Sequence, residues 1–192
     1  MVGIIIGVVV VVLIVLLVLW FIGVYNKLVK LRLNTENAFS SIDVELKKKI
    51  NLISNLEATV KGSKAHESKI FLEFAKARGA FATASQTGDV KGMQEADRMM
   101  GQASVKVMAL SEQYPELKAN ESFMKLMNDL GPIEEKVAYA RKFYNESVNK
   151  YNKTILIFPS SIVANMFNFT RKEFYEADEE AKKDNYRVNF DE

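Results

Sequence analysis

The apolar run at residues 2–24 constrains this chain more than any other feature. It contains no charged side chain, and its only polar group is the indole of Trp20. At about 1.5 Å per residue, a helix of this length spans roughly 35 Å, which is enough to cross a hydrocarbon core of about 30 Å. The sequence therefore predicts a transmembrane anchor over residues 1–24.

A cleaved signal peptide is the competing interpretation of this run. Such a peptide has a basic n-region, an apolar core of about 7–15 residues and small residues at its cleavage site. Here no Lys or Arg precedes the run, and the bulky residues 19–22 stand where cleavage would fall. We therefore expect an uncleaved anchor.

The residues that flank the anchor predict its orientation. The first basic residues are Lys27, Lys30 and Arg32, all after the span. The positive-inside rule then places residues 25–192 in the cytoplasm and the N-terminus outside. Amphipathic aromatic rings are favoured at membrane interfaces, so Trp20 and Tyr25 are expected beside these cations at the inner surface.

Beyond the anchor, apolar residues recur every three or four positions, as on amphipathic helices, and the alternation typical of strands is absent. The first helix is expected to run on from the anchor to Gly62-Ser63, and Gly88-Asp89 is expected to end the second. Pro115 and Pro159 are expected to end the third and fourth helices. The predicted fold is all-α, with the anchor continuing into an antiparallel bundle of about four long helices. The bundle would occupy residues 25–169, including a short C-terminal helix, and a charged tail residues 170–192.

Helix lengths predict where the segment 160–169 lies. The first and fourth soluble helices each reach about 57 Å at 1.5 Å per residue, and the second and third reach little more than half of that. If successive helices alternate in direction, the fourth returns to the bilayer. The segment that follows would then be either a lid on the open end of the bundle or an interfacial helix within the headgroups.

Enzyme signatures are missing from this sequence. There is one histidine, His66, and no cysteine, which excludes the usual zinc sites, and there is no Glu-x-x-His di-iron motif or Gly-rich phosphate loop. We predict no catalytic residue, no metal and no cofactor. The net charge of +2 comes from interleaved acids and bases, so no nucleic-acid partner is expected. The run Lys47-Lys48-Lys49 is interpreted as a solvated helix face, with a phosphate-binding site as the alternative.

Several polar residues lie on or beside the apolar stripes of the predicted helices. Buried polar groups of this kind must be hydrogen-bonded, and they can fix the register between helices. The alternative is a site between helices for a small anion or metabolite. The candidate polar network consists of Asn26, Asp43, Asn55, Arg78, Arg141, Asn145 and Asn152.

Short motifs spread along the chain closely resemble those of the LemA family of bacterial membrane proteins. They are Tyr25-Asn26-x-Leu28-Val29-x-Leu31-Arg32, Ala38-Phe39, Ile42-Asp43-Val44-x-Leu46-Lys47, Leu52-Ile53-x-Asn55-Leu56, Thr59-Val60-Lys61-Gly62, His66-Glu67, Ala77-Arg78, Tyr114-Pro115-x-Leu117-Lys118-Ala119-Asn120, Ala140-Arg141-x-x-Tyr144-Asn145, Val148-x-x-Tyr151-Asn152 and Phe158-Pro159-Ser160. The departures are small; one is Tyr175, which stands where phenylalanine is common in the family.

This resemblance implies an N-terminal anchor, a helical cytoplasmic bundle and no known catalytic activity, in a bacterial plasma membrane. The first functional hypothesis is a membrane-tethered scaffold or adaptor, and the alternative is a ligand-sensing domain. The expected partners are the lipid bilayer around residues 2–24, a second copy of the chain, and an unidentified membrane or cytoplasmic protein.

Overall fold

The computed structural model describes residues 1–61 and 68–175, and within these ranges the protein is helical and has no strand. The predicted all-α fold is therefore confirmed. The predicted stop at Gly62-Ser63 and the residue His66 lie outside the described residues, as does most of the predicted tail. The helices are α1 (Val2–Lys61), α2 (Ser68–Thr87), α3 (Val90–Gln113), α4 (Pro115–Lys118), α5 (Glu121–Leu156) and α6 (Ser160–Met166).

Helix α1 is unbroken for 60 residues, as the sequence predicts, because no proline interrupts it. Its N-terminal part contains one segment long and apolar enough to cross a membrane, and none of that segment is buried within the protein. All side chains from Val2 to Trp20 are exposed. Apolar surface on this scale is stable only in apolar surroundings, and a bilayer supplies them.

A tight turn joins α2 to α3. Gly88 has a φ of +67°, the left-handed conformation that favours glycine, and the Asp89 N–H donates to the Ala84 carbonyl at 3.1 Å. This is the hydrogen bond of a Schellman helix end. The Asp89 side chain then accepts from the Lys91 N–H at 3.0 Å and caps α3. One dipeptide thus ends one helix and begins the next.

The chain divides into two compact units, and α1 and α5 contribute to both. The anchor unit consists of residues 1–41 and 142–174. The hairpin unit consists of residues 42–141 and, among the described residues of the C-terminal segment, Tyr175.

In the anchor unit, α1 and α5 run antiparallel. The rings of Phe39 and Tyr144 lie 5.8 Å apart, whereas residues earlier in α1 pack with residues later in α5. Helix α6 closes this core against both helices. The buried side chains of the cluster are Leu28, Leu31, Tyr151, Ile155, Val163 and Ala164.

In the hairpin unit, α2 and α3 fold back on each other about the Gly88-Asp89 turn. The ion pair between Glu73 and Lys106, at 2.6 Å, joins residues nearly equidistant from that turn, as an antiparallel pair requires. Large apolar side chains of α1, α2, α3 and α5 are fully buried in this unit, among them Leu46, Leu56, Phe74, Met93, Met100 and Phe123.

Candidate functional site

Charged side chains are buried together in the interior of the hairpin unit. Lys49 of α1 and Asp97 of α3 are only 1% and 2% exposed, and the Lys49 ammonium lies 2.8 Å from one carboxylate oxygen of Asp97. The same ammonium lies 2.5 Å from the carboxylate of Glu134 on α5, which is partly exposed. The pairs connect α1 with α3 and α5.

The second carboxylate oxygen of Asp97 has its own partners. It accepts from the guanidinium of Arg141 and from the hydroxyl of Tyr175, at 3.2 Å in the second case. The Arg141 guanidinium also lies 5.2 Å from the centroid of the Tyr175 ring, a cation–π contact. We call Lys49, Asp97, Glu134, Arg141 and Tyr175 the buried ion cluster.

The buried ion cluster contains two cations and two carboxylates, so its formal charges cancel. Burying a charge is costly unless it is paired and hydrogen-bonded, and Asp97 achieves this with both oxygens. With both oxygens already bonded to cations, Asp97 is poorly placed to act as a general base. Within residues 1–61 and 68–175, no group of three or more His, Cys, Asp or Glu side chains could hold a metal ion. The geometry fits a device that fixes helix register.

The prediction that Lys47-Lys48-Lys49 forms a solvated face was wrong for its third member. The first two lysines are exposed and form ion pairs within α1, with Asp43 at 2.6 Å and with Glu45 at 2.7 Å. Lys49 is buried because it follows the core residue Ile42 by seven positions and precedes Leu56 by seven. That heptad spacing was the available signal, and it was missed because a lysine was assumed to be solvated.

The seven residues of the predicted polar network differ in burial and in their contacts. Arg141 belongs to the buried ion cluster, whose other members the sequence did not indicate. Asn26 and Asn55 are exposed, and Asn145 is partly buried. The remaining three residues make separate local contacts.

Two of these contacts lie between helices of the hairpin unit. The Ser85 hydroxyl of α2 donates to Asp43 of α1 at 2.5 Å. Arg78 of α2 pairs with Glu57 of α1 at 2.7 Å. Burial opposes ionisation of Glu57, but hydrogen bonds from Lys61 and Arg78 outweigh it and hold the pKa of this carboxyl below its usual value.

Asn152, the last of the seven, fastens the segment 170–174 to α5 within the anchor unit. Its amide donates to the Lys172 carbonyl at 2.8 Å, and its side-chain oxygen accepts from the Lys172 N–H at 2.9 Å. The hydroxyls of Tyr144 and Tyr151 each donate at 2.9 Å to a backbone carbonyl of the same segment. These residues belong to the predicted charged tail, yet their backbone is held by three side chains of α5.

Burial changes the acidity of these tyrosines. It raises the pKa of Tyr144 to about 12, and the nearby charge of Glu173 acts in the same direction. Burial also raises the pKa of Tyr151, while the charge of Arg32 opposes this and that of Glu36 adds to it. Both phenols therefore stay protonated, as donors, across the physiological pH range.

Aromatic rings that directly follow α6 pack on the end of the apolar segment of α1. The Phe167 ring centroid lies 5.8 Å from that of Phe21 and 4.7 Å from that of Tyr25. Phe169 lies 5.9 Å from Tyr25, and the Arg32 guanidinium lies 5.6 Å from the Phe169 centroid. Two of the predicted membrane-interface residues, Tyr25 and Arg32, thus contact the chain after α6. The other three, Trp20, Lys27 and Lys30, are exposed.

Comparison with known proteins gives a family match and several relatives. The LemA family model matches residues 38–190. Magnetosome proteins MamQ 2 and MamQ 1 of Paramagnetospirillum magneticum are each 25% identical to this chain, and magnetosome protein MamQ of Magnetospirillum gryphiswaldense is 24% identical. Each similarity covers 79% of this chain and 64% of the relative, so the chain spans slightly less than two thirds of these relatives.

Proposed function

The chain belongs to the LemA family, and on that premise we propose that it is a membrane-anchored, non-catalytic scaffold or adaptor. It would present its helices for self-assembly or for the docking of partner proteins. The observation that carries this proposal is the continuity of α1. A single helix supplies the exposed apolar segment 2–20 and, from Ile42 to Val60, buried core residues of the hairpin unit.

Exposed apolar side chains on the hairpin unit supply candidate docking residues. Leu72 of α2 and Val105 and Met108 of α3 are each more than half exposed. Val105 and Met108 are three positions apart and therefore lie on the same face of their helix. Large apolar residues on an otherwise charged helical surface are typical of protein contact sites when they cluster.

The ligand-sensing alternative has less support in the structure. It requires the predicted polar residues to converge on one site, whereas Asp43, Arg78 and Asn152 each make a separate contact with another residue. The charges of the buried ion cluster also neutralise each other, which leaves no excess positive charge to attract an anion. We therefore favour the scaffold.

We further propose a bacterial plasma-membrane location with the N-terminus outside, supported by the basic residues that follow the span. Because the sequence has no cysteine, single cysteines can test this directly. A cysteine at Gly3 should react with a membrane-impermeant maleimide in intact cells, and one at the exposed residue Lys142 should react only after lysis. The opposite result would reverse the orientation.

Site-specific photocrosslinking in the cells that produce the protein tests the scaffold function. A benzophenone amino acid would replace Val105 or Met108 in the full-length chain, and Lys76, an exposed polar position on α2, would be the matched control. Mass spectrometry would identify the products. A reproducible, stoichiometric foreign partner at 105 and 108 but not at 76 would support an adaptor, and links between copies of the chain would support self-assembly. Links only within one copy, at every site, would reject both forms.

A further inference from the structure

Helix α6 lies at the depth of the end of the apolar segment of α1. Phe167 contacts Phe21 and Tyr25, and Val163 and Ala164 are buried in the core that Phe21, Val24 and Tyr25 pack against. Phe21 belongs to the apolar run that ends at Val24 and lies roughly 4–5 Å from its end at 1.5 Å per residue. If α1 crosses a bilayer, α6 must therefore lie at the level of the headgroups.

The surface of this corner is apolar. From Thr154 to Thr170 the chain has no charged residue. Phe158, in the turn between α5 and α6, is 79% exposed, the highest value after Met1 among the large apolar side chains that the structure describes. Its exposed neighbours are Leu156, Ile157, Ile162, Met166 and Phe167, all at least 46% exposed. We call these six residues the corner patch.

Charges border the corner patch instead of interrupting it. Lys153 precedes it, Arg171 follows it, and Lys27 and Lys30 of α1 are exposed in the same unit. An apolar face bordered by basic residues is the pattern of interfacial segments, which bury their apolar face about 5–10 Å into the headgroup and acyl boundary. Lysine and arginine side chains at such positions can extend toward lipid phosphates.

We propose that the corner patch is a second membrane contact, inserted into the headgroup and acyl boundary beside the anchor. This proposal rests on α1 crossing the membrane, and it adds a function to α6 beyond closing the anchor unit. The bilayer is the favoured occupant because the contacts of Phe167 with Phe21 and Tyr25 place α6 beside a segment that is long and apolar enough to cross a membrane and is not buried within the protein. The corner patch and the anchor would then both contact lipid.

Nitroxide scanning of the full-length protein tests this proposal. Single cysteines would replace Phe158, Met166, Val10 and Tyr139 in turn, and the labelled proteins would be reconstituted in phosphatidylethanolamine–phosphatidylglycerol vesicles. Val10 reports anchor insertion, and Tyr139, an exposed aromatic residue of α5 in the hairpin unit, is the matched water-exposed control. The readout is the relative accessibility of each label to oxygen, which partitions into lipid, and to a water-soluble nickel chelate.

We expect the labels at 158, 166 and 10 to favour oxygen and the label at 139 to favour nickel. If the labels at 158 and 166 favour nickel while the label at 10 favours oxygen, the anchor is inserted and the corner patch is not, which rejects this proposal alone. Labels at 158 and 166 that neither reagent reaches would indicate a protein neighbour, such as a second copy, and would also reject it. Nickel access at 10 would reject both the anchor and the second contact.

Tryptophan quenching provides an independent measurement if a labelled variant misfolds. Trp20 is the only tryptophan in the chain. The double variant Trp20→Phe and Phe158→Trp should lose fluorescence in vesicles of brominated lipid, and the pair Trp20→Phe and Tyr139→Trp should not. Equal fluorescence of the first pair in brominated and ordinary lipid would overturn the proposal.

Discussion

Removing the carboxylate of Asp97 should strongly destabilise the hairpin unit. The substitution Asp97→Ala leaves Lys49 and Arg141 without their shared acceptor and Tyr175 without one hydrogen-bond partner. Breaking a buried ion pair by removing one partner costs about 3–5 kcal/mol, because the remaining charge stays buried.

The structure sets the expected loss near the lower end of that range. Lys49 keeps the carboxylate of Glu134, and the Arg141 side chain is 26% exposed, so water can partly replace Asp97 there. We therefore expect a loss of about 3 kcal/mol in the free energy of unfolding. For a urea dependence of about 1–3 kcal/mol per molar, the denaturation midpoint should fall by about 1–3 M.

The assay is urea unfolding of the full-length protein in a mild detergent, followed by circular dichroism. The matched control is Glu95→Ala, which removes an acid from the same helix, α3, whose partner Arg98 lies 2.5 Å away on the surface. Exposed pairs contribute at most about 1 kcal/mol, so the control should move the midpoint little. If both variants shift the midpoint equally, with unchanged urea dependence, the reasoning from burial is wrong.

Three further predictions concern individual residues. Because burial raises the pKa of Tyr144 to about 12, its protonated phenol stabilises the folded state, and wild type should lose that stability as the pH rises from 10 to 12. Tyr144→Phe, which has no phenol to ionise, should not show this loss. Unfolding measured against pH would contradict the prediction if both proteins weakened equally. Arg78→Ala should raise the lowered pKa of Glu57 toward its usual 4.5, and NMR titration of that carboxyl can follow the change. The variant should also lose the stability that the low pKa gives wild type above pH 4.5, which wild type itself loses on acidification. Gly88→Ala should lower the free energy of unfolding by about 1–2 kcal/mol, because Gly88 has a positive φ. Gly79→Ala, within α2 and with no close neighbour, should raise it by roughly 0.5–1 kcal/mol. Thermal unfolding that ranks the two variants the other way would refute this.

Periodicity and breakers predicted most of the secondary structure. The apolar run and the absence of proline before Pro115 predict a long first helix, and the structure has it from Val2 to Lys61. Gly88-Asp89 and Pro115 lie where α2 and α3 end, because their backbone requirements are local. The four-residue helix α4, which begins at Pro115, was not predicted, since a single turn leaves no periodic pattern.

The polar interior was predicted less well. Arg141 was selected, but Lys49 and Asp97 were not, because residue type alone favours solvent for both. Tyr175 lay in the predicted tail, and its hydroxyl reaches Asp97 in the structure. Phenylalanine at this position would keep the ring and lose that hydrogen bond.

The sequence by itself determined the apolar anchor segment, the long helices and the ends of α2 and α3, because hydrophobic length, 3.6-residue periodicity and backbone conformation are properties of short segments. Only the tertiary structure decided which charges are buried and which carbonyls the tyrosines bind. Residues 49, 97 and 141 are far apart in the chain, and no local pattern shows that helices bring them within hydrogen-bond distance. The same holds for α6, whose place beside Phe21 follows from the packing of α1 on α5.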